Sequence, residues 1–282
     1  MMVMPLLLNL SLAYACYFIN DFLIKFYAPK LDTYALIKRR AYFTLPFALV
    51  WLILSEAWKI PPTIPSLIQV LLLAFICGLG LFFFVKANQH LTFPNVIALN
   101  LVGLVMQQFI AFSILQEQLK SSFPISMLLI LVGVFTLASM PKLKKGLFYA
   151  LLSTTFWSLG YSLLSIPLKV TSVAWTTLLI EAVILLVVLF GSKFTSRTKG
   201  NETNPRNTTW LFPIMGLLTI CGSILFNYAY QNHQVSQVSL IYMLFYPLSV
   251  LVGKLYFGEH MSIKEWLGNL LIFSGVLYFL LF

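Results

Sequence analysis

Apolar residues run through this chain in long, nearly unbroken stretches, and polar residues gather in the short breaks between them. Ten such stretches fall at about 5–28, 34–55, 66–87, 92–115, 122–140, 147–168, 173–191, 211–230, 234–257 and 263–281. Most approach or exceed the roughly 20 apolar residues a helix needs to cross a bilayer. None shows the period-2 alternation of barrel strands. A backbone amide in hydrocarbon has no water to bond, so a helix, which satisfies its own amides, is the element predicted for all ten. The breaks carry turn formers and charges, as at Pro29-Lys30-Leu31-Asp32, Ile60-Pro61-Pro62 and Pro141-Lys142-Leu143-Lys144-Lys145. Gly191 to Thr209 is the one long connection, and its Ser, Thr, Asn, Lys and Gly predict a flexible surface loop. The first stretch lacks a basic leader and runs past any small-residue cleavage site, so it is expected to be a span and not a signal peptide.

Composition excludes the alternatives. Of 282 residues, 60% are hydrophobic and only 9% charged, whereas a soluble domain carries about 25% charged residues to clothe its surface. The three cysteines, Cys16, Cys77 and Cys221, all lie inside apolar stretches, which excludes a disulfide scaffold. The expected fold is therefore an all-α, multi-pass integral membrane protein with ten transmembrane helices. No paired His/Cys spacing, Gly-rich phosphate loop or Ser/His/Asp grouping is present. The reading is accordingly of a protein that is not an enzyme, with no metal and no cofactor.

Laid on itself with a shift of 142 residues, the chain repeats. Leu115-Gln116-Glu117-Gln118 falls on Phe257-Gly258-Glu259-His260, and the segment around Gly133 falls on that around Gly275. Two five-helix repeats follow, 1–141 and 142–282. An odd number of spans per copy makes the second enter the membrane from the opposite side. Such inverted repeats are the architecture of many secondary transporters.

The doubled pattern of an apolar span ending in Leu/Phe-x-Glu, followed by a span with Gly133 or Gly275, resembles the paired EamA repeats of the drug/metabolite transporter superfamily. Tyr228-Ala229-Tyr230, the run from Ser239 to Pro247, and Phe156-Trp157-Ser158-Leu159-Gly160-Tyr161 are similar to the same family. The resemblance covers the whole chain. It implies ten helices around a central cavity lined by spans one, three, four, six, eight and nine. One departure is that Pro247 stands in the second half, whereas Leu104-Val105 occupies the corresponding place in the first.

An ionisable group in mid-membrane costs at least about 2.5–3.5 kcal/mol, so each is a candidate for function. Asp21 lies in the inner part of span one with Asn20 beside it and Lys25 one turn on. It is read either as an amine or proton site or as a neutralised pair anchoring span one to span two through Arg40. Glu181, near the middle of span seven, has no basic residue within a helical turn. Desolvation would then favour its protonated form, as a proton carrier or as a hydrogen-bond donor to a neighbouring helix. Asn100, Leu104, Gln107, Gln108 and Ala111 share one face of span four. Tyr242, Tyr246, Ser249 and Gly253 share the equivalent face of span nine. These faces either line a cavity or join helices by hydrogen bonds. Trp157 and Tyr161 on span six are candidate pathway aromatics or ordinary packing residues. Asn88, Asn227 and Tyr230 mark the ends of spans three and eight. Glu117 and Glu259 are expected to be structural, accepting bonds from free amides at the start of the following helix. Ser126 with Gly133, and Gly268 with Gly275, give spans five and ten small-residue faces that allow close approach within the fold or in a homodimer.

The expected function is secondary active transport of a small polar metabolite, an amino acid or similar zwitterion first, by alternating access. A coupling proton or an exchanged solute would supply the driving force. The competing reading is a membrane interaction or lipid-handling protein with the same fold. The partners expected are a small-molecule substrate and the lipid bilayer, in a plasma membrane such as the bacterial inner membrane. The net charge of +10 is scattered among loops and implies no nucleic acid. It bears on orientation, since 15 of the 18 basic residues fall in or beside the odd-numbered connections. The positive-inside rule puts those connections in the cytoplasm and both termini outside. The resembled family usually has cytoplasmic termini, so the two arguments point opposite ways. With single cysteines at Lys144→Cys or Lys59→Cys, the charge argument predicts that an impermeant thiol reagent labels only position 59 in intact cells. Labelling at 144 reverses the orientation.

Overall fold

The computed structural model describes residues 3–194, 210–233, 235 and 245–282, and all regular structure among them is helical. Ten α-helices lie at the ten expected spans: α1 (Val3–Tyr27), α2 (Thr33–Leu54), α3 (Ile64–His90), α4 (Phe93–Leu115), α5 (Phe123–Ala138), α6 (Lys144–Leu168), α7 (Val173–Phe194), α8 (Leu211–Asn232), α9 (Phe245–Leu255) and α10 (Ile263–Leu281). Five helical stretches, α3, α4, Pro141–Leu168, Val173–Lys193 and α8, are long and apolar enough to cross a membrane on length and composition alone. Lys38, Arg39 and Arg40 fall together in α2, and α5 is short at 16 residues. Most of the predicted Gly191–Thr209 loop lies outside the described residues, but α7 runs four residues into it, to Phe194.

Local chemistry sets several helix ends. The Asp32 carboxylate accepts from the Tyr34 and Ala35 amides at 3.0 and 3.3 Å, occupying two of the amides that an α-helix leaves orphaned at its start. Ser262 and Glu265 form a reciprocal capping box at α10. After α4 the chain turns through Gln116 at φ +56°, and after α9 through Gly258 at φ +62°. These are equivalent positions in the two repeats. Glycine adopts this left-handed conformation without a Cβ penalty, whereas Gln116 must bear one.

The chain forms two compact units, Met1–Phe82 with Leu163–His233, and Phe83–Ser162 with Gln234–Phe282. Each draws on both sequence repeats. In the first unit, α1 packs on α8, and α2 on α7 and α8. Its apolar core joins Ala48 and Leu52 of α2, Ala174 and Leu178 of α7, and Ile220 of α8. The Trp175 indole N–H donates to the Ala57 carbonyl at 3.0 Å and ties a short 3-10 turn after α2 to the start of α7.

In the second unit, α5 packs along α10, and α4 against α9 and α10. The α5/α10 seam is where the repeat becomes visible in space. A Cβ on Gly133 would meet the Gly268 carbonyl oxygen at 2.7 Å and Ile272 Cγ1 at 2.8 Å. One on Gly275 would meet the Ser126 carbonyl oxygen and Ile130 Cγ1, both at 2.9 Å. Under the 142-residue shift these contacts exchange with each other, so α5 and α10 meet about a local two-fold axis. The small-residue faces thus serve a close approach inside the fold. Gly133→Ala and Gly275→Ala each press a methyl onto a neighbouring backbone, and each is expected to destabilise by about 1–3 kcal/mol. Thermal unfolding in detergent reads this as a lowered midpoint, and an unchanged midpoint in both variants removes the seam from the stability of the unit.

Candidate functional site

Buried polar groups in each unit form the candidate sites. In the first unit, Asn20, Asp21 and Lys25 of α1, Arg40 and Thr44 of α2, Glu181 of α7, and Thr219 and Asn227 of α8 are all buried. Arg40 organises the cluster. Its Nη2 donates to Glu181 Oε1 at 3.1 Å and its Nε to Thr219 Oγ1 at 3.2 Å. The Thr44 hydroxyl donates to Glu181 Oε2 at 2.7 Å, and the Thr219 hydroxyl to Asn20 Oδ1 at 3.2 Å. A single chain of polar contacts therefore crosses α1, α2, α7 and α8.

Two sequence expectations change here. Glu181 has no cation within a helical turn on α7, yet it holds the Arg40 guanidinium of α2, so the premise of a carboxyl without a basic partner does not hold. Helical spacing reports neighbours on one helix and is blind to a partner 141 residues away. Arg40 does link α1 with α2, but through Thr219 and Asn20, and its carboxylate partner is Glu181. Thr44 and Thr219, which complete the network, carry no signal in the sequence, because a lone threonine in an apolar span is common. Further along α8, the Asn227 side-chain amide donates to Thr177 Oγ1 at 3.1 Å, and Tyr230 stacks edge-on against Phe226 with centroids 4.7 Å apart.

The second unit holds Asn88, Asn100, Gln107, Gln108, Trp157, Tyr161 and Tyr246. Tyr242 lies outside the described residues. The α4 face is buried throughout, but its polar groups are engaged differently along its length. Asn100 Oδ1 accepts from the Thr154 hydroxyl of α6 at 3.4 Å, and the Ser158 hydroxyl donates to the Gly103 carbonyl at 3.1 Å. The Gln108 amide donates to the Gln118 carbonyl at 3.1 Å and so closes the turn after α4. On α9, Gly253 is packed against Pro94, where a Cβ would meet Cδ at 2.9 Å. Trp157 leans on Phe84 with centroids 4.9 Å apart, Tyr246 on Phe273 at 5.3 Å, and the Asn88 amide donates to the Phe84 carbonyl of its own helix.

Glu117 and Glu259 bond to amides other than those expected. Glu259 Oε2 accepts from the Phe93 amide at 2.7 Å, and Glu117 Oε1 from the Val235 amide at 3.1 Å. Phe93 and Val235 are themselves 142 residues apart. In these bonds each carboxylate crosses to the other repeat. The left-handed turns bring equivalent backbone bonds with them: Glu117 N–H folds back to the Ala111 carbonyl and Glu259 N–H to the Gly253 carbonyl. Thr92 offers α4 no side-chain cap, so Glu259 takes its first orphaned amide.

A further polar cluster was not singled out from the sequence. Asn95 donates to Glu265 Oε1 at 3.1 Å, and Asn269 donates to Asn95 Oδ1 at 2.6 Å, with all three side chains buried. The pattern Ser262-x-x-Glu265 before an apolar run was the available signal, since it is the signature of a capping box. Among the described residues, no group of three or more His, Cys, Asp or Glu could hold a metal ion.

Long apolar helices that bury charge and amide clusters define a multi-pass membrane protein. The model of the EamA-like transporter family matches residues 144–281, and the chain belongs to that family, within the drug/metabolite transporter superfamily. A solved crystal structure matches with a TM-score of 0.68 at 14% identity, covering 98% of this chain and 97% of that one, which shows a shared fold. No curated protein sequence matches.

The Arg40–Glu181 pair generates a stability prediction. Removing one member of a buried pair strands the other charge and costs about 3–5 kcal/mol, whereas removing both is far milder. Arg40→Met and Glu181→Met are each expected to lower the unfolding midpoint strongly, and Arg40→Met/Glu181→Met to recover most of the loss. Simple additivity in this double-mutant cycle would show that the two groups do not act as a pair.

Proposed function

We propose that the protein is a secondary active transporter of a small zwitterionic metabolite, of the amino-acid type. The observation that carries this reading is Asn20, Asp21 and Lys25, buried on one apolar helix. A carboxylate and an ammonium one turn apart offer complementary charges to a substrate with both an amine and a carboxylate. Groups held in hydrocarbon at such cost point to function. The Arg40–Glu181 network fixes Asn20 through Thr219 and so orders the α1 segment that presents Asp21. On this reading Arg40 and Glu181 support the site, and Asp21 and Lys25 meet the substrate.

The mechanism proposed is alternating access, driven by a proton or by an exchanged solute. Its support is that each compact unit takes helices from both repeats. Two inverted copies of similar energy can then exchange conformations and present one site to each side in turn. The sequence carries no nucleotide-binding motif to supply another driving force.

Asp21→Asn removes the charge with little change in shape. It is expected to abolish gradient-driven uptake of the transported solute into proteoliposomes that hold the same amount of folded protein as the parent, as judged by gel filtration before reconstitution. Undiminished uptake removes Asp21 from the mechanism. A thermal-shift screen against amino acids and related zwitterions identifies the solute, since a ligand at 100 times its Kd stabilises by about 2.7 kcal/mol. If no zwitterion stabilises the protein, the substrate class falls.

A further inference from the structure

Where α3 ends and α6 begins, basic side chains gather around one aromatic ring. Lys86 and His90 stand one turn apart on α3, and Lys145 and Tyr149 one turn apart on α6. The Lys86 ammonium lies 5.3 Å from the centre of the Tyr149 ring, and the His90 imidazole stacks on that ring with centroids 5.8 Å apart. Gly146 lets α6 close on the end of α3, since a Cβ there would meet Leu91 Cγ at 2.5 Å. Lys145 and Lys86 both act on His90 electrostatically, and no carboxylate among the described residues offsets them. Neither His90 nor Lys145 forms an ion pair with any described residue. The fold does not require these cations. Under the 142-residue shift α8 carries Tyr228 and Asn232 where α3 carries Lys86 and His90, and α1, the counterpart of α6, has no charged side chain before Asp21.

Apolar surface begins beside the cations. Phe148, between Lys145 and Tyr149 in sequence, is 59% exposed. Phe83 stacks on Tyr149 at 6.1 Å and on Phe156 at 5.8 Å, so a ladder of rings leads from the basic end along the seam between α3 and α6. An occupant that matches both parts is anionic at one end and apolar at the other. A nucleic acid or an acidic peptide meets only the first condition. His90 and Lys145 lie just beyond the apolar stretches 66–87 and 147–168, at the level where basic groups between spans suit lipid headgroups.

We propose that the α3/α6 seam binds one anionic phospholipid of the phosphatidylglycerol type, with its phosphodiester on Lys145 and His90 and an acyl chain along Phe148 and the Phe83 and Phe156 rings. A zwitterionic lipid brings an ammonium that Lys145 repels, and free phosphate lacks the acyl chain. The site uses none of Asn20, Asp21 or Lys25, and does not depend on which solute is transported.

Native mass spectrometry of the purified full chain, titrated with phosphatidylglycerol or phosphatidylcholine of the same acyl chains, tests the assignment. One phosphatidylglycerol is expected to be retained in preference to phosphatidylcholine. Lys145→Gln is expected to weaken that retention about fivefold, and adding His90→Asn, the residue of the other repeat, to weaken it further. Lys59→Gln, a charge loss before the opposite end of α3, should leave it unchanged. Equal retention of the two lipids by the unaltered protein overturns the proposal without recourse to any variant. Undiminished retention in Lys145→Gln/His90→Asn, or an equal loss in Lys59→Gln, puts the lipid elsewhere and overturns it as well. Displacement by inorganic phosphate at the lipid's own concentration identifies a free-anion site and overturns the lipid assignment.

Discussion

A helix that ends at the edge of the hydrocarbon leaves backbone amides without partners, and no water in the bilayer core can serve them. In the second unit this constraint is met reciprocally. The carboxylate that follows α4 takes the Val235 amide, and the carboxylate that follows α9 takes the first amide of α4. Each acid follows a left-handed residue, Gln116 or Gly258, and its own amide folds back to Ala111 or Gly253. The glutamates therefore do more than finish their own spans. They tie the two repeats together at equivalent positions, and the rest of the unit is arranged around that tie.

The same two-fold relation governs the α5/α10 seam, where Gly133 lies on Gly268 and Gly275 on the Ser126 backbone. Lipid gives no hydrophobic drive for helices to associate, so close backbone contact and dispersion must hold them. Small residues at equivalent places in both copies allow this. Symmetry fails where packing does not need it. Gln108 and Val250 occupy equivalent positions, yet one closes a turn and the other borders a cavity. Divergence between copies of one repeat thus separates what the fold demands from what is left to function.

Buried charge is the second constraint. In the first unit the cost of an arginine and a glutamate inside the membrane is reduced by pairing them, and by hydroxyls from two further helices. The network locks α1, α2, α7 and α8 at one level. That rigidity suits a role in presenting Asn20 and Asp21, because a charged site in low dielectric must be held in geometry by its surroundings.

The sequence by itself determined the class of protein, the positions of ten helices and the repeat, because each follows from the lengths and order of apolar runs. It also placed Glu117, Glu259, Gly133 and Gly275 as structural residues, since they recur at a fixed shift. It marked Asp21, Lys25, Arg40 and Glu181 as unusual, since charge in an apolar span is conspicuous whatever the fold. Only the tertiary structure decided the partners. Glu181 and Arg40 are 141 residues apart, and Glu259 and the Phe93 amide 166. No periodicity along a helix can report such pairs. Asn95, Glu265 and Asn269 went unmarked for the same reason, as each is ordinary on its own helix and becomes a buried cluster only when α4 meets α10.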